Sequence, residues 1–128
     1  MLFDTTFLMD LAREIRREQP GGATRFLERH PDDPVCVSLF TLGEFAEGFG
    51  AGERPAMEEF LRPMRVLPCG TETAWHYGQI SRALRQAGTP IGDNDVWIAA
   101  TAVDQKMALV TRNIERFSRV PDLMVVNY

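Results

Sequence analysis

The sequence has little of what gives a protein general affinity for nucleic acid. It contains one lysine, Lys106, among its 14 lysine and arginine residues, and its net charge is −4. This balance argues against a protein that holds nucleic acid by charge alone, because that requires a basic surface. The preference for arginine has two interpretations. Arginine matches phosphate bidentately, but an arginine-rich composition also reflects genome bias.

Cysteine and histidine are also scarce. Cys36 and Cys69 are far apart and form no CxxC pair, so we expect two small buried thiols in a reducing compartment. His30 and His76 have no cysteine or second histidine at ligand spacing. Neither a zinc site nor a histidine general base is therefore indicated.

Long apolar runs are absent as well. No stretch approaches the roughly 20 residues that a membrane-spanning helix needs. The opening MLFDTTFLMDL lacks the basic region and the small-residue cleavage site of a signal peptide. At 128 residues the chain is long enough for one substantial core. We expect a cytoplasmic protein whose residues 1–128 form a single domain.

Short apolar runs alternate with amphipathic segments along the chain. The runs predict strands at 1–3, 35–37, 65–67, 108–110 and 123–126. The segments between them predict helices that begin at Thr5, Thr24, Thr41, Ala56, Thr71 or Thr73, Asp93 and Asn113. Because strands alternate with helices, the sequence predicts an α/β fold with a short parallel sheet and helices on both faces.

Apolar spacing also predicts which helix faces are buried. One face of the first helix carries Phe7, Leu8, Leu11 and Ile15. Thr71 or Thr73 is predicted to cap a long helix, one face of which carries Ala74, Tyr77, Ser81 and Leu84.

Four polar residues occur where predicted strands give way to helices: Asp4, Glu44, Asp95 and Asn113. In open α/β folds the carboxyl ends of the strands meet at one edge of the sheet, and ligands bind there. Carboxylates gathered at that edge repel each other unless a cation joins them, and hard divalent cations such as Mg²⁺ prefer oxygen ligands. The pattern therefore predicts a metal site, and the metal points to phosphodiester chemistry.

Helix capping is the structural alternative for each of these residues. Asp4 and Asn113 are both suitable N-caps. The segment Thr41–Glu44 matches a capping box, with threonine as N-cap and glutamate three residues later. One of Asp93 and Asp95 is predicted to cap the helix that follows them. Capping and metal binding remain open for all four positions.

Five segments of the chain, in this order and spacing, resemble the PIN domain, and more narrowly the VapC toxins of bacterial and archaeal toxin–antitoxin pairs. They are LFDTTFLMDL, SLFTLGEFAEG, GDNDVWIAATAV, LVTRNIERF and LMVVNY. The resemblance covers essentially the whole chain. It implies a PIN-like fold and a metal-dependent endoribonuclease that holds Mg²⁺ or Mn²⁺ in the acidic cluster. It also implies RNA of the tRNA or rRNA class as substrate, a homodimer, and a VapB-like antitoxin whose C-terminal segment wraps the toxin and reaches the active site.

The resemblance assigns roles by position. Asp4, Glu44 and Asp95 match the family's three acids and would be the metal ligands. Asn113 stands where many members have a fourth acid and is counted with the catalytic residues. That departure lowers the charge of the site and puts a second metal in doubt.

Supporting roles follow in the same way. Thr111 matches a family hydroxyl near the site, and Asp93 is at most an auxiliary acid. Thr6 replaces the commoner asparagine of the opening motif. Arg112 and Arg116 are candidates to contact RNA phosphate, although they are equally compatible with a solvated face.

The expected mechanism is attack on the scissile phosphate by a metal-activated water. Two other functions stay open. One is an RNA-binding translation inhibitor that does not cleave, which Asn113 leaves room for. The other is a phosphatase of the haloacid-dehalogenase type with Asp4 as nucleophile. That class usually has a second aspartate two residues later, where this chain has Thr6, and a lysine near the site, whereas Lys106 falls late in a predicted helix.

Overall fold

The computed structural model describes residues 1–128 and contains one five-stranded sheet. The strands are β1 (Leu2–Phe3), β2 (Cys36–Ser38), β3 (Arg65–Leu67), β4 (Leu109–Val110) and β5 (Val125–Val126). Their order across the sheet is β3-β2-β1-β4-β5, and every neighbouring pair is parallel. The chain thus builds outward from β1 on one side and then crosses to its other side at β4. A crevice for ligands is expected where the order reverses.

Helices fill the connections between the strands. They are α1 (Thr5–Arg17), α2 (Gly22–Arg29), α3 (Leu39–Ala46), α4 (Arg54–Leu61), α5 (Thr71–Gln86), α6 (Asp93–Asp104) and α7 (Ile114–Phe117). A 3₁₀ turn over Ala51–Glu53 precedes α4. None of the helices combines the length and the apolar character that crossing a membrane requires. The predicted α/β architecture is confirmed.

Successive residues of each short strand point to opposite faces of the sheet. Leu2 belongs to a core cluster with Ile80 of α5 and Ile98 of α6. Phe3 belongs to the cluster on the other face with Phe7 of α1 and Phe26 of α2. Because helices cover both faces, the strand ends are where a site has access to solvent.

The predicted start of α3 is wrong. The helix begins at Leu39, and Ser38 is its N-cap, with Oγ accepting a hydrogen bond of 2.9 Å from the backbone N–H of Thr41. The capping box over Thr41–Glu44 therefore does not form, and Glu44 lies within the helix. Serine and threonine are comparable N-caps, so the local sequence could not decide between the two starts.

The predicted cap of α6 is wrong too. Gly92 holds the N-cap position, and Asp93 and Asp95 lie in the first helical turn. Their carboxylates are stabilised there by the positive end of the helix dipole, although neither caps a backbone N–H.

Two predicted core positions are exposed. Ile15 is 59% exposed at the edge of an apolar groove that Leu27 and Phe60 also line. Ala74 is exposed because the buried face of α5 follows Thr73, Ile80 and Leu84 instead. Gly70 is the N-cap of that helix, so neither predicted threonine holds the cap position.

Candidate active site

All four polar residues of the sequence pattern line one open depression of about 660 Å³. The depression lies above the carboxyl ends of β1 and β4, between the starts of α1 and α6. Its other lining residues are Thr5, Thr6, Met9, Glu47, Gly92, Asp93, Asn94 and Arg116. The fold therefore brings together side chains from four separate segments of the chain.

Asp4 is the most buried residue of the four, at 3% exposure. Its Oδ1 accepts a hydrogen bond of 2.8 Å from the backbone N–H of Phe7, so the predicted cap of α1 is confirmed. Its Oδ2 accepts a bond of 2.5 Å from the hydroxyl of Thr111. Burial raises the pKa of Asp4 to about 6, and the two hydrogen bonds oppose that rise. Asp4 thus caps a helix and lines the depression at once.

Glu44 projects from the middle of α3 toward the starts of two other helices. Its Oε1 accepts a hydrogen bond of 3.0 Å from the side-chain amide of Asn94, in the first turn of α6. Its Oε2 accepts a hydrogen bond from the hydroxyl of Thr5, the first residue of α1. These two contacts hold Glu44 over the depression.

Asp95 forms an ion pair of 2.6 Å with Nη1 of Arg116, which belongs to α7.

Asn113 holds the N-cap position of α7, but its side chain makes no capping hydrogen bond, so that capping role is not confirmed. Its backbone N–H donates to the hydroxyl of Thr111 at 2.9 Å. Thr111 therefore connects the positions of Asp4 and Asn113.

A second depression, of about 790 Å³, adjoins the first and shares Gly92, Asp95, Asn113 and Arg116 with it. Its remaining lining residues are Pro90, Ile91, Arg112, Ile114, Glu115 and Arg119. Three arginines thus face one hollow beside the acidic one. Arg112 and Arg116, the candidates for phosphate contact, lie in it, although each is paired with a carboxylate of the chain itself.

Asp10 is a functional candidate that sequence analysis missed. It is 5% exposed and contacts Arg13 at 2.9 Å, Arg112 at 3.0 Å and the hydroxyl of Tyr128 at 2.7 Å. Asp10 follows Phe7 by three residues, so helical spacing places it on the buried face of α1. A charged residue on that face was the feature of the sequence that could have indicated a functional role. Through Arg112 it connects the core to the second depression.

The donor set suits a hard divalent cation, because it consists of carboxylate and amide oxygens with a net negative charge. In the present arrangement no three histidine, cysteine, aspartate or glutamate side chains are grouped closely enough to hold one ion. The three acids are instead engaged by neighbours within the chain: Thr111, Thr5, Asn94 and Arg116. Shared coordination therefore requires some of these side chains to reorient.

The PIN domain family model matches residues 1–123. The chain belongs to the PIN domain family. Among similar PIN proteins, ribonuclease VapC1 of Haemophilus influenzae is 33% identical over 106 residues, 79% of each chain. The tRNA(fMet)-specific endonuclease VapC of Salmonella typhimurium is 32% identical over 99 residues, 73% of this chain and 75% of that protein.

A solved structure supports the same placement in the PIN family. The chain superposes on VapBC2 from Rickettsia felis, bound to a DNA fragment from its promoter, with a TM-score of 0.83 and 26% identity. The alignment covers 99% of this chain and 97% of that chain. The resemblance and the fold class predicted from the sequence are confirmed. A PIN fold argues against the haloacid-dehalogenase alternative, in which Asp4 is a nucleophile.

Proposed function

We propose that this PIN domain is a divalent-metal-dependent endoribonuclease and the toxin of a VapBC-like toxin–antitoxin pair. The observation that carries the proposal is the convergence of Asp4, Glu44, Asp95 and Asn113 in one open depression at the carboxyl edge of the sheet. Four segments far apart in sequence contribute side-chain oxygen atoms to one depression. Capping does not explain this convergence, because Glu44 lies within α3 and Asp95 lies in the first turn of α6 without holding its N-cap position.

Asp4 and Asp95 would hold the cation, with Glu44 as a third ligand directly or through water. When bound, a divalent cation polarises the scissile phosphate and lowers the pKa of an attacking water. The residues of the chain itself orient the carboxylates. The N-terminus of α1 and the Thr111 hydroxyl fix the Asp4 carboxylate, while Thr5 and Asn94 fix Glu44. Asn113 is placed to present an amide without adding charge, and Asp93 is an auxiliary acid.

The partners follow from the relatives. We propose that the chain pairs with a VapB-like antitoxin, acts on RNA of the tRNA or rRNA class, and forms a homodimer in the cytoplasm. Residues 1–128 would act as a single domain, and Mg²⁺ or Mn²⁺ would be the working metal. The net charge of −4 favours a selective enzyme that reads RNA shape or a single-stranded loop over one that binds any phosphate backbone.

The test is a titration of Mg²⁺ or Mn²⁺ into the wild type and the double variant Asp4→Asn/Asp95→Asn, with end-mapped cleavage of total RNA alongside. The charge-matched control is Asp32→Asn/Asp33→Asn, at two exposed positions outside both depressions. We expect metal-dependent cuts at a few sites in the wild type and the control, and none in the site variant. Cleavage that persists in EDTA would contradict the mechanism, since no histidine or lysine lines the depression.

A second function, RNA binding without cleavage, is favoured by two features. Asp95 is paired with Arg116, and Asn113 stands in place of an acid. In the same experiment this alternative predicts RNA that shifts in a binding gel but yields no new ends. Metal-dependent ends in the wild type would exclude it.

A further inference from the structure

Arg116 is the charged residue of this chain that pairs with an acid of the proposed metal site. We propose that Arg116 is a built-in competitor of the metal: it neutralises Asp95 in the metal-free protein and transfers to an RNA phosphate when the metal binds. The inference rests on the proposed function and adds a way of regulating that site.

The geometry places the guanidinium on a metal-ligand oxygen. Nη1 of Arg116 lies 2.6 Å from Oδ2 of Asp95. While that contact persists, the oxygen points toward α7 and is engaged by a fixed cation. This engagement accords with the finding that no three acids form a ready metal cluster.

Arg116 is also exposed enough to release Asp95. Its side chain is 49% exposed, and the carboxylate of Asp95 is 20% exposed. Ion pairs with this degree of solvent contact contribute little to stability. A divalent cation with several oxygen ligands outcompetes so weak a pair, whereas a fully buried pair would block the site.

The second depression is where Arg116 would contact an RNA phosphate. Arg116 lines both hollows, and Arg112 and Arg119 line the second one with it. Arginine is suited to bidentate contact with phosphate. Once metal neutralises Asp95, the guanidinium can turn to a backbone phosphate beside the scissile bond. Metal and RNA would then bind cooperatively, since the metal frees Arg116 for an RNA phosphate and the phosphate draws Arg116 away from Asp95.

The first experiment measures Mn²⁺ affinity of the RNA-free protein by electron paramagnetic resonance, which needs no catalysis. Arg116→Met removes the charge and replaces the aliphatic part of the side chain with an unbranched apolar one. Arg119→Met is the matched control, because Arg119 lines the same depression but pairs with Glu115 at 2.7 Å. We expect Arg116→Met to bind Mn²⁺ roughly fivefold more tightly than the wild type, which is the upper end of what an exposed ion pair contributes. Arg119→Met should stay within about twofold of the wild type.

The second experiment measures the RNA side with metal at saturation. Arg116→Met should raise the KM for RNA several-fold and reduce the magnitude of the salt slope of RNA binding by about 0.7, the value for one phosphate contact on a single strand. Arg116→Lys keeps the charge but not the bidentate fork, so its KM should lie between those of Arg116→Met and the wild type. Opposite changes in metal and RNA affinity are the signature, because a merely structural role would weaken both.

The outcomes separate this inference from the proposed function. If the wild type binds Mn²⁺, Asp95→Asn loses it, and Arg116→Met binds as the wild type does, the metal site stands and the competitor role is overturned. An equal gain in Arg119→Met would reduce the effect to general electrostatics and also overturn it. Absence of Mn²⁺ binding in both the wild type and Arg116→Met would overturn the metal site together with the competitor.

Discussion

Thr111 donates a hydrogen bond of 2.5 Å to Asp4, joining the ends of β4 and β1 across the point where the strand order reverses. The two residues are far apart in sequence, and both are buried. This bond and the hydrogen bond from the backbone N–H of Phe7 to the other oxygen together fix the orientation of the Asp4 carboxylate. The same hydroxyl accepts a hydrogen bond from the backbone of Asn113.

Replacing Thr111 with valine should therefore impair the site more than the fold. Hydrogen bonds to charged groups contribute about 1.5–3 kcal/mol, so we expect metal affinity to fall roughly 10- to 100-fold. Thr111→Ser keeps the hydroxyl and should retain most of the affinity. Metal titration of both variants, with thermal unfolding as a check on folding, measures the difference. Equal metal affinity in the two variants would show that the hydroxyl does not orient Asp4.

Asp4 should make the stability of the metal-free protein depend on pH. Its pKa is raised from 3.8 to about 6, chiefly by burial, so the charged form destabilises the fold. Its contribution is fully present below pH 3.8 and is lost as the pH rises through about 6, a loss on the order of 2–3 kcal/mol. Urea unfolding in EDTA from about pH 3.8 to pH 8 measures this loss.

The matched control for that pH profile is Asp4→Asn, which removes the titrating group and keeps an N-cap. Its free energy of unfolding in EDTA should exceed that of the wild type at pH 7.5 and match it at about pH 3.8 and below. Excess Mg²⁺ should restore the wild type, because the cation stabilises the charged carboxylate. A wild-type profile parallel to that of Asp4→Asn would refute the assignment.

Glu44 and Glu47 offer a matched pair on one helix surface, since both line the first depression. Glu44→Gln keeps an acceptor for Asn94 and can donate to the Thr5 hydroxyl, but it removes the charge that a cation needs, so cleavage should fall about 100-fold or more. Glu47→Gln makes the same chemical change at an exposed side chain that forms no hydrogen bond or ion pair, and it should leave cleavage within about twofold. Rates of cleavage of one end-labelled RNA measure both. Comparable losses in the two variants would point to the overall charge of the surface.

The position of the candidate site could be predicted from the sequence, because parallel topology leaves little choice. Once short buried strands alternate with helices, the residues after β1 and β4 must meet at one edge, which places Asp4 beside Asn113. The start of α3 could not be predicted in the same way. Ser38 and Thr41 have nearly the same capping chemistry, and only packing of the helix on the sheet selects between them.

The hydrogen-bond and ion-pair partners of the site residues could not be predicted from the sequence, for a different reason. Arg116 meets Asp95 because α7 turns back toward the start of α6, and Asp10 meets Tyr128 across nearly the whole chain. Nothing in local spacing encodes such pairs. The sequence therefore predicted which acids lie together but not the cation that neutralises one of them.

Glu14 provides a stability test that is independent of the active site. Its carboxylate accepts three backbone hydrogen bonds, from Gly21 at 2.8 Å, Ala23 at 3.1 Å and Thr24 at 2.9 Å, and a fourth from the Thr24 hydroxyl at 2.6 Å. It thereby caps α2, whose N-cap residue Gly21 has no side chain to do so. A Cβ at Gly21 would overlap that carboxylate, which explains the glycine.

The charge on Glu14 should stabilise the fold at neutral pH. Partial burial opposes ionisation, but the hydrogen bonds from Thr24, Gly21 and Ala23 outweigh it and lower the pKa from 4.5 to about 2. The contribution is thus present above pH 4.5 and is lost as the pH falls toward 2. Because the side chain is only half-buried, we expect Glu14→Gln to cost about 1–2 kcal/mol at pH 7. Urea unfolding at pH 7 and pH 3 should show the difference shrinking in acid, whereas Glu18→Gln, an exposed neighbour, should match the wild type at both. A Glu14→Gln deficit that is unchanged at pH 3 would mean that lost packing, not lost charge, is the cause.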